Sequence, residues 1–194
     1  MLDFTSQLIY TNAGHKHPKI VQAIKDQAKK LCTVAPQHAN DVRSEAARLI
    51  TGLLPEDINH VFFTGGGADA NEHAVRMARL HTGRRKVFSA YRSYHGGTQL
   101  AVNLTGDPRR IPNDDDAGIV HFLPAYTYRS HFGAQDEKEE TERALQHLKD
   151  MLLLEGPGQV AALILEAIPG TAGIYLPPEG TCRESGSSAT NTAS

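Results

Sequence analysis

The chain has 194 residues, of which 40% are hydrophobic and 22% charged, and its formal net charge is −2 at pH 7. This near-neutral balance excludes a strongly basic nucleic-acid-binding protein and an acidic disordered chain, and no apolar run approaches membrane-spanning length. The two cysteines, Cys32 and Cys182, form neither a disulfide framework nor a metal-ligand set, so a soluble protein of the reducing cytoplasm is expected.

The predicted elements begin with two helices. Pro18 suits the first turn of a helix that runs to about Leu31, and Asp41 caps a second helix that Gly52 ends. Further along the chain, strands are predicted at residues 60–64, 86–90, 118–122 and 160–166, and helices at 69–81, at about 98–104 and at 135–155. The last strand is almost wholly apolar, which is typical of a strand buried on both faces. This alternation predicts an α/β fold with a mostly parallel sheet flanked by helices.

The segment between the first predicted strand and its helix is rich in glycine. Gly65, Gly66 and Gly67 precede Ala68 and the start of the helix. Small residues let backbone N–H groups approach a ligand, and a helix N-terminus adds a partial positive charge, so a phosphate site is one interpretation. The segment matches neither the Walker loop nor the dinucleotide fingerprint, and the alternative is a tight turn without a ligand.

Polar side chains also follow two later strands, at the edge of a parallel sheet where ligands bind. After the second strand, Tyr94 offers a flat face for stacking on an aromatic ligand, and His95 offers a hydrogen bond. The alternative is a packed aromatic ring and a surface histidine beside a glycine turn. Glu166 ends the last strand, where it could orient a ligand group or merely cap a loop.

No metal site is predicted from the two remaining polar clusters. His15 and His17 lack acidic or cysteine partners, and a turn before a helix explains them better. The run Asp114–Asp116 lacks the alternating spacing of a calcium loop, so a solvated loop is expected.

Taken in order, four motifs resemble those of the class III (fold type I) aminotransferases, which use pyridoxal phosphate (PLP). The matching segments are Leu2–Phe4 with Asn12–Pro18, Phe63–Glu72, Ser93–Thr98, and Glu166–Gly170 with Gly173–Pro178. The resemblance runs from about residue 2 to residue 180. The variant G-G-A-D-A-N-E and the loop Tyr128–Gly133 look most like the taurine–pyruvate aminotransferase subgroup.

The resemblance implies cofactor-binding roles for Gly66, Gly67, Ala68, Tyr94, His95, Gly96 and Glu166. The N–H groups of Gly67 and Ala68 would hold the PLP phosphate, and Gly66 would allow its approach. Tyr94 would stack on the pyridine ring with His95 and Gly96 beside it, and Glu166 would lie under the cofactor. The family further implies a small-molecule amino donor, a keto acid acceptor and a homodimer, with no nucleic acid or membrane partner.

Two groups that PLP chemistry requires have no match in this chain. The reaction needs a lysine that forms a Schiff base and an acid on the pyridinium nitrogen, and in the family both follow the E-x-x-x-G block. Lys86 and Lys138 lie outside any family lysine motif, so no catalytic residue is assigned. The chain alone is therefore expected to lack transaminase activity. The alternative is a non-catalytic binding or dimerisation module from a truncated paralogue.

The chain is accordingly divided into an N-terminal segment (1–35), a partial PLP-binding large domain (36–180) and a non-family tail (181–194). The tail has four Ser and three Thr and no Leu, Ile, Val, Phe, Met or Tyr, and disorder is expected for it. One permitted back-translation of the tail contains a shifted frame that reads like the family after P-P-x-G. A single-base frameshift is therefore the hypothesis, and an unrelated low-complexity tail is the alternative.

Overall fold

The computed structural model describes residues 3–113 and 118–192, and the run Asp114–Asp116 lies outside these ranges. The chain divides into two compact units, with the boundary between Phe62 and Phe63. The sequence instead predicts a boundary after residue 35. The segment that follows residue 35 stays with the N-terminal helices because Lys30 pairs with Asp41, and Arg43 donates hydrogen bonds to the carbonyls of Pro36 and His38.

The first unit contains the two predicted helices, α1 (Pro18–Lys30) and α2 (Asp41–Thr51). Proline occupies the first turn of α1, as expected from its fixed φ. The N-cap of α2 is Asn40, one residue before the predicted cap, and its side chain accepts a hydrogen bond from the Arg43 N–H at 3.0 Å. Neither helix buries a residue.

The second unit is an α/β fold around a three-stranded parallel sheet, which confirms the predicted fold class. The sheet order is β2–β1–β3, and both strand pairs are parallel. Its elements are α3 (Gly67–Thr82), β1 (Lys86–Ala90), α4 (Gln99–Leu104), β2 (Ile119–Phe122), α5 (Glu137–Glu155), β3 (Val160–Ile164) and α6 (Thr181–Thr192). Within the described residues, no helix is both long and apolar enough to cross a membrane.

The central strand β1 buries side chains on both faces of the sheet. Phe88 packs into a cluster with Phe122 of β2, Leu148 and Leu152 of α5, and Val160 of β3. Val87 points to the opposite face, where its cluster also holds Val75 of α3 and Leu104 of α4. Because successive strand residues alternate in direction, one short apolar strand joins two core clusters.

The strand expected at residues 60–64 does not form. The sheet of the described residues has three strands, and His60–Thr64 is not among them. Phe62 is 64% exposed. A strand is defined by hydrogen bonds to a neighbour, so β-prone composition alone does not produce one. The full burial expected for the last strand is also absent, because β3 is an edge strand in which only Val160 is buried.

The C-terminal segment that the sequence predicts to be disordered forms a helix. The segment Thr181–Thr192 forms α6. Ser185 of α6 is buried and donates its hydroxyl hydrogen bond to the Thr181 carbonyl, and the Thr181 and Thr141 hydroxyls lie 3.4 Å apart. The Thr141, Thr181 and Ser185 hydroxyls each donate to a backbone carbonyl of their own segment. Their small size allows α6 to lie close to α5, which an argument from the lack of large apolar residues did not anticipate.

Candidate functional site

The glycine-rich segment leads directly into α3. Gly66 is fully extended (φ 176°, ψ 177°) and precedes Gly67, the first residue of the helix. The Gly65 N–H donates to Asp69 Oδ2 at 3.0 Å, which fixes the turn. A Cβ built on Gly66 or Gly67 would meet no heavy atom within 4 Å. The first-turn N–H groups, which lack partners within the helix, can therefore be approached by an anion.

A close backbone contact brings the second predicted segment against the first. Gly96 has φ +134°, and a Cβ built on it would lie 2.5 Å from Ala68 Cβ and 2.9 Å from Ala68 Cα. The Asn71 amide of α3 donates a hydrogen bond of 2.8 Å to the carbonyl of His95. The segment predicted to bind a phosphate and the segment predicted to bind a ring are thus packed against each other.

Glu72 of α3 holds the segment that follows, a role that the sequence reasoning missed. Its Oε1 accepts hydrogen bonds from the Thr98 hydroxyl (2.6 Å) and from the N–H groups of Leu100 (2.8 Å) and Ala101 (3.2 Å). The carboxylate therefore caps the first turn of α4 from a neighbouring helix. The partners of Glu72 lie 26 to 29 residues away along the chain. The only sequence signal for this cap is therefore the presence of an acid three residues after Asp69.

The Tyr94 ring is 40% exposed, and the Arg109 guanidinium lies 3.8 Å from its centroid. Arg109 is itself held by Asp107, whose carboxylate accepts hydrogen bonds from Arg109 Nε at 2.8 and 3.1 Å. A cation over one face fixes the ring and leaves the opposite face for stacking. Arg109 lies in the short 3-10 helix Pro108–Asn113, in a segment that the sequence predicts as a loop, and no spacing rule pointed to it.

His95 and Glu166 each carry a buried atom without a hydrogen-bond partner among the described residues. The backbone N–H of His95 donates to Thr105 Oγ1 at 3.0 Å, while Nε2 of its ring, which is 9% exposed, is unpartnered. Burial lowers the pKa of His95, and the charge of Glu166 partly offsets this effect. Glu166 Oε2 accepts from the Gly170 N–H at 3.0 Å, and Oε1 is unpartnered.

Both side chains line a cavity of about 50 Å³ below the strand ends. Its walls are mainly apolar and come from the ends of the three strands, the loops that follow them, α5 and α6. Two of the lining residues, Tyr175 and Arg92, contact Tyr126. The Tyr126 and Tyr175 ring centroids are 4.5 Å apart, and the Arg92 guanidinium lies 4.8 Å from the Tyr126 centroid. Burial raises the pKa of Tyr175. Arg92 has φ +68°, a backbone strain that persists where surrounding contacts impose it.

The two other sequence candidates, His15 and His17, belong to the first unit. Within residues 3–113 and 118–192, no group of three or more His, Cys, Asp or Glu side chains is arranged to hold a metal ion.

Two histidines of the second unit, His95 and His147, predict a loss of stability on mild acidification. Burial lowers the pKa of both His95 and His147, and His147 Nε2 accepts a hydrogen bond from the Leu123 N–H at 3.3 Å, which requires a neutral ring. Because the folded-state pKa lies below the unfolded value, the contribution to stability is complete above about pH 6.5 and is lost as the pH falls through the folded pKa.

The measurement is urea unfolding at pH 7.5 and pH 5.5, a range in which most carboxylates stay ionised. We expect the free energy of unfolding to fall between the two, and the fall to shrink in the double variant His95→Gln/His147→Gln. The exposed His131→Gln serves as the control and should keep the wild-type slope. An unchanged slope in the double variant would contradict this assignment.

Known protein families and solved structures resemble this chain. The family model Aminotransferase class-III matches residues 1–189. A solved taurine:2-oxoglutarate aminotransferase from Bifidobacterium kashiwanohense, in complex with PLP and glutamate, aligns with a TM-score of 0.93 and 40% identity, over 98% of this chain and 44% of that chain. An (S)-enantioselective omega-transaminase from Thermomicrobium roseum aligns with a TM-score of 0.91 and 28% identity, over 98% and 45%.

Two curated relatives are also aminotransferases. Alanine–glyoxylate aminotransferase 2 homolog 2 of Arabidopsis thaliana is 31% identical over 89% of this chain and 35% of its own length. The acetylornithine aminotransferase of Methanopyrus kandleri is 31% identical over 94% of this chain and 42% of its own length. The chain therefore spans about two fifths of the length of these relatives.

Proposed function

The chain belongs to the class III aminotransferase family, and from this premise we propose that it forms the phosphate- and ring-binding part of a PLP site used for transamination. The reaction moves an amino group from an amine or amino acid to a keto acid. The observation that carries the proposal is the packing of Gly96 on Ala68, which joins the phosphate-binding turn to the ring-binding segment.

The residues present fit this cofactor. The open space around Gly66 and Gly67 beside the first turn of α3 accommodates a phosphate dianion. Tyr94 offers one ring face for stacking, since Arg109 covers the other. Glu166 has a buried carboxylate oxygen that a polar group can still engage.

PLP, when bound, supplies an electron sink for the carbon from which the proton is removed. The chain's own residues bind and orient. The N–H groups of Gly67 and Ala68 would hold the phosphate, and Tyr94 would stack on the ring. Arg109 keeps Tyr94 in place through its contact with the ring face, and Glu72 fixes the start of α4 behind both segments.

The identity of 40% with a taurine:2-oxoglutarate aminotransferase, against 28% with the omega-transaminase, supports a place in the taurine aminotransferase-like subgroup. This agrees with the two segments that the sequence singles out, the G-G-A-D-A-N-E variant and the loop Tyr128–Gly133. An ω-amino acid donor of this kind is the substrate class that we propose.

We propose that this 194-residue chain does not transaminate by itself, because no lysine of the second unit is placed for the chemistry. Lys86 begins β1, at the strand end opposite the site, and its ammonium lies 2.6 Å from Glu155 Oε2. Four residues of strand separate it from Ala90 by about 13 Å. Lys138 pairs with Glu142 on the surface of α5, and Lys149 lies exposed on the same helix.

The test separates binding from catalysis. Pyridoxine 5′-phosphate carries the phosphate and ring of PLP without its aldehyde, so isothermal titration of the purified chain reports the non-covalent site. We expect saturable binding that inorganic phosphate competes away, weakened about fivefold by Tyr94→Ala, since an aromatic pair contributes about 1 kcal/mol. Tyr128, which is 79% exposed, provides the matched control Tyr128→Ala, which should bind as wild type.

Activity is measured in the same preparation with PLP, taurine and a keto acid. No amino transfer is expected, and borohydride treatment followed by peptide mass spectrometry should find no lysine modified in preference to the others. A single lysine modified at stoichiometric yield would overturn the inactivity of the chain, whereas absence of pyridoxine phosphate binding would overturn the proposed site.

A second candidate function is a non-catalytic module that docks on a full-length aminotransferase or on a second copy. Two apolar residues of α1 favour this candidate, because Ile20 is 50% and Ile24 63% exposed. Sedimentation velocity of the purified chain, alone and mixed with a full-length class III aminotransferase, distinguishes a monomer from either complex.

A further inference from the structure

The segment Tyr94–Gly97 carries the proposed ring-stacking residue on a backbone that has little rigidity of its own. Two of its four residues, Gly96 and Gly97, are glycines, which have wider backbone freedom than residues with a side chain. Gly96 uses this freedom, since its φ of +134° is a conformation that residues with a side chain rarely adopt. Contacts from outside the segment are therefore needed to fix the position of Tyr94.

Two side chains from different parts of the chain hold the peptide groups on either side of His95. The His95 N–H donates to Thr105 Oγ1 at 3.0 Å, and the His95 carbonyl accepts a hydrogen bond from the Asn71 side-chain amide at 2.8 Å. Because peptide groups are planar, these two bonds orient the links from His95 to Tyr94 and from His95 to Gly96. Asn71 and Thr105 thus form a clamp on His95.

Thr105 is fully buried and is itself held by α4. It is the C-cap residue of this helix, and its hydroxyl donates to the Ala101 carbonyl at 3.0 Å. A hydroxyl can donate one hydrogen bond while it accepts another, so the same group joins the helix to His95. The end of α4 therefore restrains a residue that lies ten positions earlier in the chain.

Asn71 lies on the side of α3 that packs against the same segment. It follows Ala68 by three residues, so the two residues share one face of the helix. Ala68 packs on Gly96, and Asn71 bonds to His95. The segment is therefore held against the helix whose first turn is proposed to bind the phosphate. A shift of the segment away from α3 would change the distance between the Tyr94 ring and that turn.

We propose that Asn71 and Thr105 are positioning residues for cofactor binding, which act through the His95 peptide groups to set the stacking position of Tyr94. This role rests on the proposed PLP site. The polar atoms that form the clamp are engaged within the chain, so the two residues act on the cofactor through Tyr94. The consequence is selective: binding of the ring depends on the clamp, and binding of the phosphate at the first turn of α3 does not.

The experiment compares two ligands by NMR titration at the Gly67 and Ala68 amide signals of the purified chain. Pyridoxine 5′-phosphate reports phosphate and ring binding together, and inorganic phosphate reports the phosphate turn alone. Thr105→Val removes the hydroxyl at similar size and should weaken pyridoxine phosphate binding about threefold, less than the loss of a whole stacking contact. Its affinity for inorganic phosphate should equal that of the wild type, whereas a general loss of stability would weaken both ligands alike.

Three further variants complete the comparison. Thr105→Ser keeps the hydroxyl and should bind pyridoxine phosphate as the wild type does, and Asn71→Ala should show the same selective loss as Thr105→Val. The matched control is Thr82→Val at the last residue of α3. The Thr82 hydroxyl also donates to a carbonyl four residues back, that of Ala78, and accepts from a backbone N–H, that of Arg84. This control should bind both ligands as the wild type does.

Hydrogen exchange tests the clamp without a ligand. The reference is the Val87 N–H, which bonds to the Gly118 carbonyl at 2.9 Å. Relative to it, the His95 N–H should exchange about tenfold faster in Thr105→Val than in the wild type. An unchanged ratio, or an unchanged affinity for pyridoxine phosphate, would overturn the positioning role and leave the proposed site intact.

A wild-type chain that binds neither ligand would instead overturn the proposed site, together with the role that rests on it. Should Thr105→Val unfold, the two affinities of Asn71→Ala decide in its place. A selective loss of pyridoxine phosphate binding in that variant supports the clamp, and wild-type affinity for both ligands contradicts it.

Discussion

Replacing Gly96 by alanine is expected to destabilise the second unit by about 4 kcal/mol, because two independent penalties add at this position. The backbone has φ +134°, a conformation that costs a residue with a side chain roughly 1–3 kcal/mol. The added Cβ would also lie 2.5 Å from Ala68 Cβ and 3.1 Å from Ala101 Cβ, and overpacking of this kind typically costs 1–3 kcal/mol. These neighbours belong to helices and cannot move as a flexible side chain could.

Urea unfolding followed by tyrosine fluorescence measures this loss. The chain has no Trp and six Tyr, and Tyr10 alone lies in the first unit, so the signal reports mainly on the second. Gly158→Ala is the matched control, because a Cβ there meets nothing within 4 Å. It should change the free energy of unfolding by less than about 1 kcal/mol. Equal effects of the two substitutions would show that the contact of Gly96 with Ala68 does not form.

Phe88→Ala is expected to cost about 3–5 kcal/mol, the range for removing a buried phenylalanine. Phe88 is fully buried in the central strand and touches the cluster that unites the sheet with α5. Its ring centroid lies 6.4 Å from that of Phe122, a separation typical of interacting aromatic pairs. The cavity left behind would lie between elements that are too rigid to fill it.

The matched control is Phe4→Ala, which makes the same chemical change at a side chain that is 92% exposed. Its expected effect is below about 0.5 kcal/mol. Both variants are compared with wild type by urea unfolding and by far-ultraviolet circular dichroism. A loss of less than 1 kcal/mol for Phe88→Ala would contradict the central position of β1 in the core.

Most of the fold class was predictable because it follows from local patterns. The alternation of apolar strands with amphipathic helices predicted the α/β fold and the approximate bounds of α3, β1, β2 and α5. The run His60–Thr64 shows where this reasoning fails: its composition suits a strand, but strand formation requires a neighbour. For α6 the prediction fails in the opposite direction, since a segment expected to be disordered forms a helix. Contacts with α5 rather than apolar composition support this helix.

The candidate site was also predictable only in part. Some site residues were predictable because each lies in a short motif after a strand or an expected strand. These residues are Gly66–Ala68, Tyr94–Gly96 and Glu166. Arg109 over Tyr94 and the cap that Glu72 provides for α4 were not readable. The two residues of each contact are 15 to 29 positions apart along the chain, and no spacing rule covers such separations.

The sequence by itself determined the family, the fold class and the residue types at the ends of the strands, because these depend on ordered motifs and on local hydrophobic patterning. Only the tertiary structure decided that Gly96 lies against Ala68 and that His95 and Glu166 line one cavity. Both outcomes arise from the packing of segments distant in the chain. Such packing is governed by steric fit and by the requirement that buried polar groups find partners, and neither is encoded in the spacing of neighbouring residues.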